Sequence, residues 1–404
     1  MKRRDFIRTS LLATAGLTLI SCEDQEIVID DTPGRLTKTN NPKDIIIIGA
    51  GISGLVAGFE LKRAGHNVTI LEARDRIGGR IFTVREPFSN GIFAEAGAAR
   101  IPDNHDITLG YIDYFNLSLN PFYPDGGNYT QLLDGEKSYI EPDVFLEDRP
   151  WPTSVTHKEY SKIESGNDQL PEALYETLMD NVHLSEPAIS IEQMNDGVRV
   201  ETDNGATYLG DKIICTLPLP VLNKVSFSPS LSTQKQEAIN GGYTYNTATR
   251  VMFTSPTRFW ENEGQNGFGK TDWPEEIWHP SWDQDSTAGL LLTYLRRDKA
   301  IEADALNDAV RNIQILNRWE NVFPGVQNNI THAYTHSWAK EEWSGAGWPA
   351  PTEEEEEAYG SSLGLVEGHI HFAGEHTTEY HGWMQGALLS GIRAANEIND
   401  GAMT

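Results

Sequence analysis

Three glycines at fixed spacing, Gly49, Gly51 and Gly54, form the pattern G-x-G-x-x-G just before a stretch with helical character. In this pattern the first glycine makes a tight turn, the second leaves room for a pyrophosphate group, and the third lets helix pack on strand. The amino-terminal end of such a helix then faces the phosphates, because its free N–H groups stabilise an anion. Glu72 follows at a distance that suits hydrogen bonds to ribose hydroxyls. These residues predict a dinucleotide site.

The hydrophobic pattern around the three glycines predicts two strands with a helix between them. Residues 44–49 form an apolar, β-branched run bounded by glycine, which predicts a strand buried on both faces of a parallel sheet. Residues 55–64 continue with helical spacing until Gly65, and residues 67–71 predict a second strand ending at Glu72. Glycines alone are also typical of an ordinary turn in an α/β protein. The full order of strand, glycines, helix, strand and acid favours dinucleotide binding.

The residues that follow Glu72 distinguish FAD from NAD. Residues 73–80, A-R-D-R-I-G-G-R, resemble the stretch that wraps the FAD pyrophosphate in flavin amine oxidases. A solvated basic turn is the alternative, but it does not explain two glycines between arginines. The resemblance extends over nearly the whole chain after its first residues. It implies FAD as cofactor, with Arg80 supplying positive charge.

The end of the chain resembles the closing FAD segment of the same family. Residues 370–375 are strand-like, and residues 383–399 are helix-like and rich in small residues. The resemblance implies that Glu375 binds the ribityl chain and that the Gly382-Trp383 pair abuts the isoalloxazine. We expect non-covalent binding, because no cysteine lies in this segment. The residues predicted to bind FAD are Gly49, Gly51, Gly54, Glu72, Arg74, Gly78, Gly79, Arg80, Gly97, Ala98, Gly374, Glu375, Gly382 and Trp383.

A candidate substrate anchor lies in residues 93–102, which resemble the G-x-x-R-x-P stretch of L-amino-acid oxidases. In those enzymes the arginine matching Arg100 forms a bidentate pair with the substrate carboxylate, a task that suits a planar guanidinium. From residue type alone, a surface arginine is an equally good interpretation. Residues 111–122 and 166–175 also resemble L-amino-acid oxidases more than monoamine or polyamine oxidases. The resemblance implies oxidation of an L-amino acid to the imino acid and then the keto acid, with release of ammonia and hydrogen peroxide.

The sequence departs from the family at three places. Arg250 stands where the family has a lysine that holds a water near the flavin, and Trp278 and His279 cover a stretch that offers a tyrosine there. Between Tyr139 and Lys162 only a short stretch containing Pro150, Trp151 and Pro152 replaces the long helical domain of L-amino-acid oxidases. We therefore expect more open access to the site. The residues predicted to act on the substrate are Arg100, Arg250 and Trp383, and no metal site is predicted.

The predicted fold class is α/β, with a Rossmann-like FAD-binding domain that carries a β-meander, and a smaller mixed α+β substrate domain. Turn signals at residues 195–197 and 203–205 predict the meander, which returns through a strand at residues 212–216. The substrate half is predicted to contain strands at 247–254, 289–295 and 331–338 and a helix at 303–319. The predicted FAD domain comprises residues 44–100, 163–230 and 355–404, and the substrate domain residues 101–162 and 231–354. The acidic run at residues 353–357 is read as a solvated helix start.

The first residues are typical of an export leader. Arg3 and Arg4 followed by an apolar stretch resemble a twin-arginine signal over residues 1–21, and residues 19–22 resemble a lipobox that ends at Cys22. A transmembrane anchor is the alternative, but the apolar run is short for a span. Residues 22–43 then form a linker between a lipid at Cys22 and the fold. We expect an exported protein on the periplasmic or cell-surface side, with Cys215 as a small buried hydrophobe.

Composition limits the partners. The chain of 404 residues carries 32 Lys and Arg against 59 Asp and Glu, a net charge of −27 that argues against nucleic acid and anionic lipid. The expected partners are a small amino acid or amine and oxygen or another electron acceptor, and a homodimer is one option for the assembly. Two other functions stay open. One is a primary-amine oxidase or dehydrogenase, and the other is a flavin-binding partner protein without oxidase turnover of its own.

Overall fold

The computed structural model describes residue 34 and residues 36–88, 90–140 and 160–401. The predicted leader, the lipobox and the first part of the linker lie outside the described residues, as does the short stretch around Pro150, Trp151 and Pro152. Within the described part of the chain, the structure contains no helix with the length and apolar character needed to cross a membrane.

A parallel sheet of five strands forms the first layer. Its strands, in spatial order, are Val182–His183, Asn67–Leu71, Asp44–Ile48, Lys212–Cys215 and Ile370–Phe372. The isoleucine run of the central strand is buried on both faces, as its unbroken apolar pattern predicts. The predicted strands at 44–49, 67–71 and 212–216 are confirmed. Because parallel strands share one carboxyl-terminal edge, the residues after each strand meet there.

Two helices from opposite ends of the sequence pack together on one face of this sheet. Helix Ile52–Ala64 ends at Gly65, which has the left-handed φ of 104° that favours glycine. Helix Met384–Asn399 approaches it so closely that a Cβ on Gly391 would lie 2.3 Å from the Ser53 carbonyl oxygen. The small residues of the predicted closing helix permit this close packing.

The predicted meander covers the other face of the parallel sheet. Strands Ala188–Met194, Gly197–Thr202 and Thr207–Gly210 are antiparallel, and strand Ser226–Ser228 adds to the first in parallel. Apolar side chains of the meander, among them Val198 and Val200, share a core with one face of the central isoleucine run. Cys215 belongs to this core as predicted, and burial raises the pKa of its thiol to about 11.

The second layer is a mixed sheet of seven strands. Its order is His332–Ser337, Ala248–Ser255, Gly289–Arg296, Glu276–Trp278, Gln265–Thr271, Asn128–Leu133 and Glu136–Ile140. Side chains of strand Ala248–Ser255 alternate between its faces. Val251 and Phe253 pack under helices, whereas Ala248 and Arg250 face the cavity described below. The predicted mixed α+β half is confirmed.

One predicted helix is wrong in its extent. The stretch expected to be a single helix at 303–319 forms two, Arg297–Ala305 and Asp308–Trp319. Between them Asn307 takes an extended conformation, and its side chain accepts a hydrogen bond from the Val310 N–H at 3.0 Å. An amino-terminal cap of this kind starts a new helix where apolar spacing alone suggests continuity.

The acidic run is a helix start, as predicted. Helix Glu353–Glu355 begins with a capping box, in which the Glu355 N–H donates to the Thr352 hydroxyl and the Thr352 N–H donates to the Glu355 carboxylate. The remaining described strands are Thr83–Val84, Ala94–Glu95, Ile101–Pro102, Leu119–Pro121, Tyr160–Ile163, Tyr245–Asn246 and Trp348–Pro349. The remaining described α-helices are Asp106–Tyr114, Gln169–Glu176, Leu219–Leu222, Thr233–Glu237, Val326–Asn329 and Ser361–Leu363. The domain boundaries given above stay a prediction.

Candidate active site

A cavity of about 880 Å³ lies between the carboxyl-terminal edge of the parallel sheet and the cavity face of the seven-stranded sheet. Nearly all the predicted site residues line it, although they come from five separate parts of the sequence. Those that line it are Gly49, Gly51, Glu72, Arg74, Gly78, Gly79, Arg80, Gly97, Ala98, Arg100, Arg250, Gly374, Glu375, Gly382 and Trp383. Gly54 does not line the cavity, because its contacts are with the glycine turn itself.

The glycine turn has the shape that a bound pyrophosphate requires. Gly49 has a left-handed φ of 102°. A Cβ on Gly51 would meet no atom within 4 Å and would project into open space. A Cβ on Gly54 would lie 2.0 Å from the Gly49 carbonyl oxygen, so this glycine permits the packing of helix on strand. With Ile52 and Ser53 at the helix start also lining the cavity, the residues present fit a dinucleotide phosphate.

Glu72 is buried at the end of the second parallel strand. Its carboxylate accepts hydrogen bonds from the Ala50 N–H at 2.8 Å and the Arg74 N–H at 2.9 Å. A carboxylate has about four acceptor positions, so capacity for ribose hydroxyls remains. Arg74 Nη2 donates hydrogen bonds to the Glu341 carboxylate and the Ser344 hydroxyl, which links the loop after Glu72 to Ser344 in the cavity lining.

An ion pair between Arg80 and Glu375 forms part of the cavity lining. Arg80 Nη1 lies 2.6 Å from Glu375 Oε1 and donates to the Gly347 carbonyl oxygen at 2.8 Å. The other carboxylate oxygen of Glu375 accepts from the Gly382 N–H at 2.7 Å. A Cβ on Gly97 would lie 1.9 Å from the Arg80 carbonyl oxygen, so only glycine permits this approach. The basic loop and the closing segment are thus held together at the cavity wall.

Arg100 is buried, with 6% of its surface exposed, and the interpretation as a surface arginine is wrong. Its Nη1 donates to the Tyr123 hydroxyl at 3.2 Å and lies 3.7 Å from Glu276 Oε2. Its guanidinium carbon is 4.8 Å from the centre of the Trp278 ring. Arg100 is therefore a buried cation at the cavity wall, positioned by aromatic side chains and a carboxylate.

Arg250 is the second buried cation, with 5% exposed. It lies directly opposite Tyr294 in the seven-stranded sheet, and its Nη1 donates to the Glu95 carbonyl oxygen at 2.7 Å. Its guanidinium carbon lies 4.5 Å from the Tyr294 ring centre and 4.9 Å from that of Trp278. Desolvation lowers the pKa of Arg250, yet a guanidinium remains protonated and acts as a donor only.

The aromatic walls include residues that sequence reasoning missed. Trp348 and Tyr294 line the cavity with Trp383, and a Cβ on Gly382 would lie 3.2 Å from the Trp348 ring. The sequence patterns of the two strands could have indicated Tyr294, because it lies opposite the predicted site residue Arg250 when these strands pair. Trp348 lies in a two-residue strand and has no such signal. Behind the wall, the buried His105 ring meets Trp383 edge to face at 5.0 Å.

The two residues at the tyrosine position have different surroundings. The Trp278 ring centre lies within 5 Å of the guanidinium carbons of both Arg100 and Arg250, at 4.8 and 4.9 Å. His279 packs against Trp260 at 4.8 Å instead, and its pKa falls to about 3 through burial. Only Trp278 therefore contributes to the surroundings of the cavity cations.

Glu95 is a buried, titratable carboxyl just before the loop of residues 96–100 that lines the cavity. Burial raises the pKa of Glu95 to about 7, although hydrogen bonds from the Thr83 hydroxyl and the Asn167 N–H favour its charged form. Asn167 also donates to the Ala98 carbonyl oxygen, which connects this carboxyl to the loop that lines the cavity. In the described ranges, no three His, Cys, Asp or Glu side chains cluster closely enough to hold a metal ion.

Comparison with known proteins gives consistent matches over most of the chain. The family model described as "Flavin containing amine oxidoreductase" matches residues 52–156 and 144–399. The protein named "Putative L-amino-acid oxidase YobN" in Bacillus subtilis is 30% identical, with 90% of this chain and 96% of that protein covered. An L-amino-acid oxidase of Gloydius blomhoffii is 28% identical over 93% of both chains.

Solved structures show the same fold. Putrescine oxidase bound to putrescine has a TM-score of 0.77 at 19% identity, covering 89% of this chain and 99% of that one. Cyclohexylamine oxidase from Brevibacterium oxydans has a TM-score of 0.78 at 18% identity, with the same coverage. At these identities the likeness is one of fold.

Proposed function

The chain belongs to the flavin-containing amine oxidoreductases, and we propose that it uses non-covalently bound FAD to oxidise an L-amino acid. The products would be the imino acid, which water converts to the keto acid and ammonia, and hydrogen peroxide from oxygen. The observation that carries the proposal is Arg100, a buried cation lining the same cavity as the glycine turn and the aromatic walls. The relatives named as L-amino-acid oxidases support this substrate class.

The residues of the chain would hold the cofactor along the length of the cavity. The helix that follows Gly51 would face the pyrophosphate, and Glu72 would accept hydrogen bonds from the adenosine ribose. Glu375, paired with Arg80, would lie beside the ribityl chain. The described cysteine, Cys215, is buried away from the cavity lining, which supports non-covalent binding. When bound, a flavin would supply the group that accepts a hydride equivalent, one proton with two electrons, from the substrate α-carbon.

Arg100 would bind and orient the substrate. A guanidinium can donate two parallel hydrogen bonds to a carboxylate, which sets the direction of the remaining substrate bonds. Trp383, Trp348 and Tyr294 would then confine the amine and side chain and exclude water. Arg250, a permanent cation that donates to the Glu95 backbone, would repel a protonated amine and so favour the neutral form that reacts.

Oxidation of a primary amine is the second candidate. It is favoured by Glu276, a carboxylate 3.7 Å from Arg100 that already supplies this arginine with a negative partner. An amine without a carboxylate would leave that arrangement undisturbed. A flavin-binding protein without turnover of its own is the remaining alternative.

The deciding experiment is anaerobic bleaching of the bound flavin by a panel of L-amino acids and their decarboxylated amines. We expect amino acids to bleach the visible absorbance of the bound flavin and the matched amines to bleach it little. Bleaching by amines alone would support the second candidate. A flavin that neither group reduces would contradict both enzymatic proposals.

We also propose that the chain is exported by the twin-arginine route and anchored by a lipid at Cys22. The support is the residue pattern of positions 1–22. Metabolic labelling with a palmitate analogue should mark the wild-type chain and not the Cys22→Ser variant, and replacement of Arg3 and Arg4 by lysine should block export. Equal labelling of wild type and Cys22→Ser would contradict the anchor.

A further inference from the structure

Glu276 is a buried carboxylate behind the cationic wall of the cavity, with 7% of its surface exposed. Its Oε1 lies 3.1 Å from Arg296 Nη2, and its Oε2 lies 3.7 Å from Arg100 Nη1. The Trp278 indole N–H donates to Oε2 at 2.7 Å. Both arginines line the cavity. One internal carboxylate therefore contacts two cations that face the space a substrate would occupy.

We propose that Glu276 is a specificity-determining residue that competes with the substrate carboxylate for Arg100. The inference rests on the proposed function, in which Arg100 receives that carboxylate. Two anions near one guanidinium repel each other and share its donors. The presence of Glu276 therefore weakens binding of any carboxylate at Arg100, whether it belongs to the substrate or to the keto-acid product.

The distances explain how Arg100 can turn to a ligand without leaving a buried charge unpaired. Trp278 and Arg296 lie closer to Glu276 than Arg100 does, at 2.7 and 3.1 Å, and neither of these two contacts involves Arg100. An uncompensated buried carboxylate would be costly, but a carboxylate that keeps an ion pair and a hydrogen bond is not. Glu276 thus lowers the affinity of Arg100 for a carboxylate ligand but leaves the guanidinium able to bind one.

The consequence for selectivity has a definite direction. An amine without a carboxylate does not use Arg100, so Glu276 does not weaken its binding. An amino acid binds less tightly than Arg100 alone would allow, and its keto-acid product leaves more readily for the same reason. Glu276 therefore reduces the difference in affinity between amino acids and amines, and it favours release of the keto-acid product.

The test uses a carboxylate that cannot be oxidised. Benzoate and its uncharged isostere benzamide are titrated into the flavin-loaded protein by calorimetry, which needs no turnover. Glu276→Gln keeps the size and the hydrogen-bond acceptor for Trp278 while removing the charge. We expect benzoate to bind about three- to thirty-fold more tightly to this variant, the range for a partly buried ion-pair contact. Benzamide binding should stay within about twofold.

Glu275 offers a matched control, because it is the adjacent carboxylate and pairs instead with Arg296 at 3.6 Å and Lys299 at 3.8 Å. Glu275→Gln should change benzoate affinity less than Glu276→Gln does. In an Arg100→Met background the Glu276→Gln effect should vanish, because the contested cation is absent.

The outcomes separate this inference from the proposed function. If Arg100→Met binds benzoate as tightly as wild type, the proposed role of Arg100 fails. If Arg100→Met loses benzoate but Glu276→Gln shows equal or weaker binding, only the competition is overturned. Should Glu276→Gln lose its flavin, Glu276→Asp replaces it, since the shorter side chain withdraws the charge from Arg100. Absence of tighter benzoate binding in Glu276→Asp would then reject the competition.

Discussion

Replacing Arg100 by methionine is the most direct test of the substrate class. The change preserves bulk and removes the guanidinium fork. Because the side chain is 6% exposed, its pair with a substrate carboxylate would be largely removed from water. Loss of such a charge-assisted bidentate pair costs about 2–5 kcal/mol, or about thirty- to several-thousand-fold in kcat/KM. We place the expected loss in the lower half of this range, because Glu276 competes for the same guanidinium.

The folded protein should tolerate this substitution. Glu276 keeps its contacts with Arg296 and Trp278 when Arg100 is removed, so no buried carboxylate is left without a partner. The aromatic rings of Phe122, Tyr160 and Trp278 lie within 6 Å of the guanidinium carbon and can pack against a methionine thioether. Flavin content and the midpoint of thermal unfolding should therefore stay close to wild type.

The assay is anaerobic stopped-flow reduction of the flavin by an L-amino acid and by its decarboxylated amine. Arg100→Met should lose reduction by the amino acid while any reduction by the amine stays nearly unchanged. Arg100→Lys, which keeps a charge without the fork, should fall between the two proteins. Equal losses with both substrates would assign Arg100 to the fold or the flavin, and unchanged rates with both would refute its role in carboxylate binding.

Three further predictions concern the cofactor and the stability of the fold. Gly51→Val should abolish FAD retention, because the valine side chain would project into the cavity. Gly126 also has open space around it but lies outside the cavity lining, so Gly126→Val should keep a stoichiometric amount of yellow flavin. Flavin absorbance after gel filtration distinguishes the two results. Acid precipitation of the wild type should release the flavin into the supernatant, and flavin on the pellet would contradict non-covalent binding. Glu95 should make the free energy of unfolding fall by up to about 3 kcal/mol as pH rises from 4.5 to about 7. The reason is that the pKa of Glu95 is raised in the folded state, so between these pH values the folded protein binds a proton that the unfolded chain does not. Thermal unfolding of Glu95→Gln should lack this component, and an identical pH profile in both proteins would show that Glu95 does not titrate there.

The cofactor half could be predicted from sequence because its signals are local. The isoleucine run, the three glycines and the acid at the strand end each require one conformation, and the structure confirms the strand, helix and strand that they predict. The break at Asn307 could not be predicted from apolar spacing, because apolar spacing does not report a capping side chain. There a single capping side chain decided the boundary.

The substrate side of the cavity was less predictable because its contacts join distant strands. Trp348 and Tyr294 reach the cavity only through the order in which the strands pair. Glu276 has no distinguishing feature in the sequence beside Glu275. Its contact with Arg100 joins positions 176 residues apart, and only the folded chain brings the two charges together.

The packing of helix Met384–Asn399 on helix Ile52–Ala64 has a consequence for biosynthesis. Strand Ile370–Phe372 and helix Met384–Asn399 complete the parallel sheet and carry Glu375 and Trp383 to the cavity. Residues 1–21, the predicted export signal, therefore precede in synthesis the residues that complete the cofactor cavity. Flavin uptake must wait until helix Met384–Asn399 has left the ribosome. A transport route that accepts only folded cargo would thus detect a property that this chain acquires only after helix Met384–Asn399 has been made.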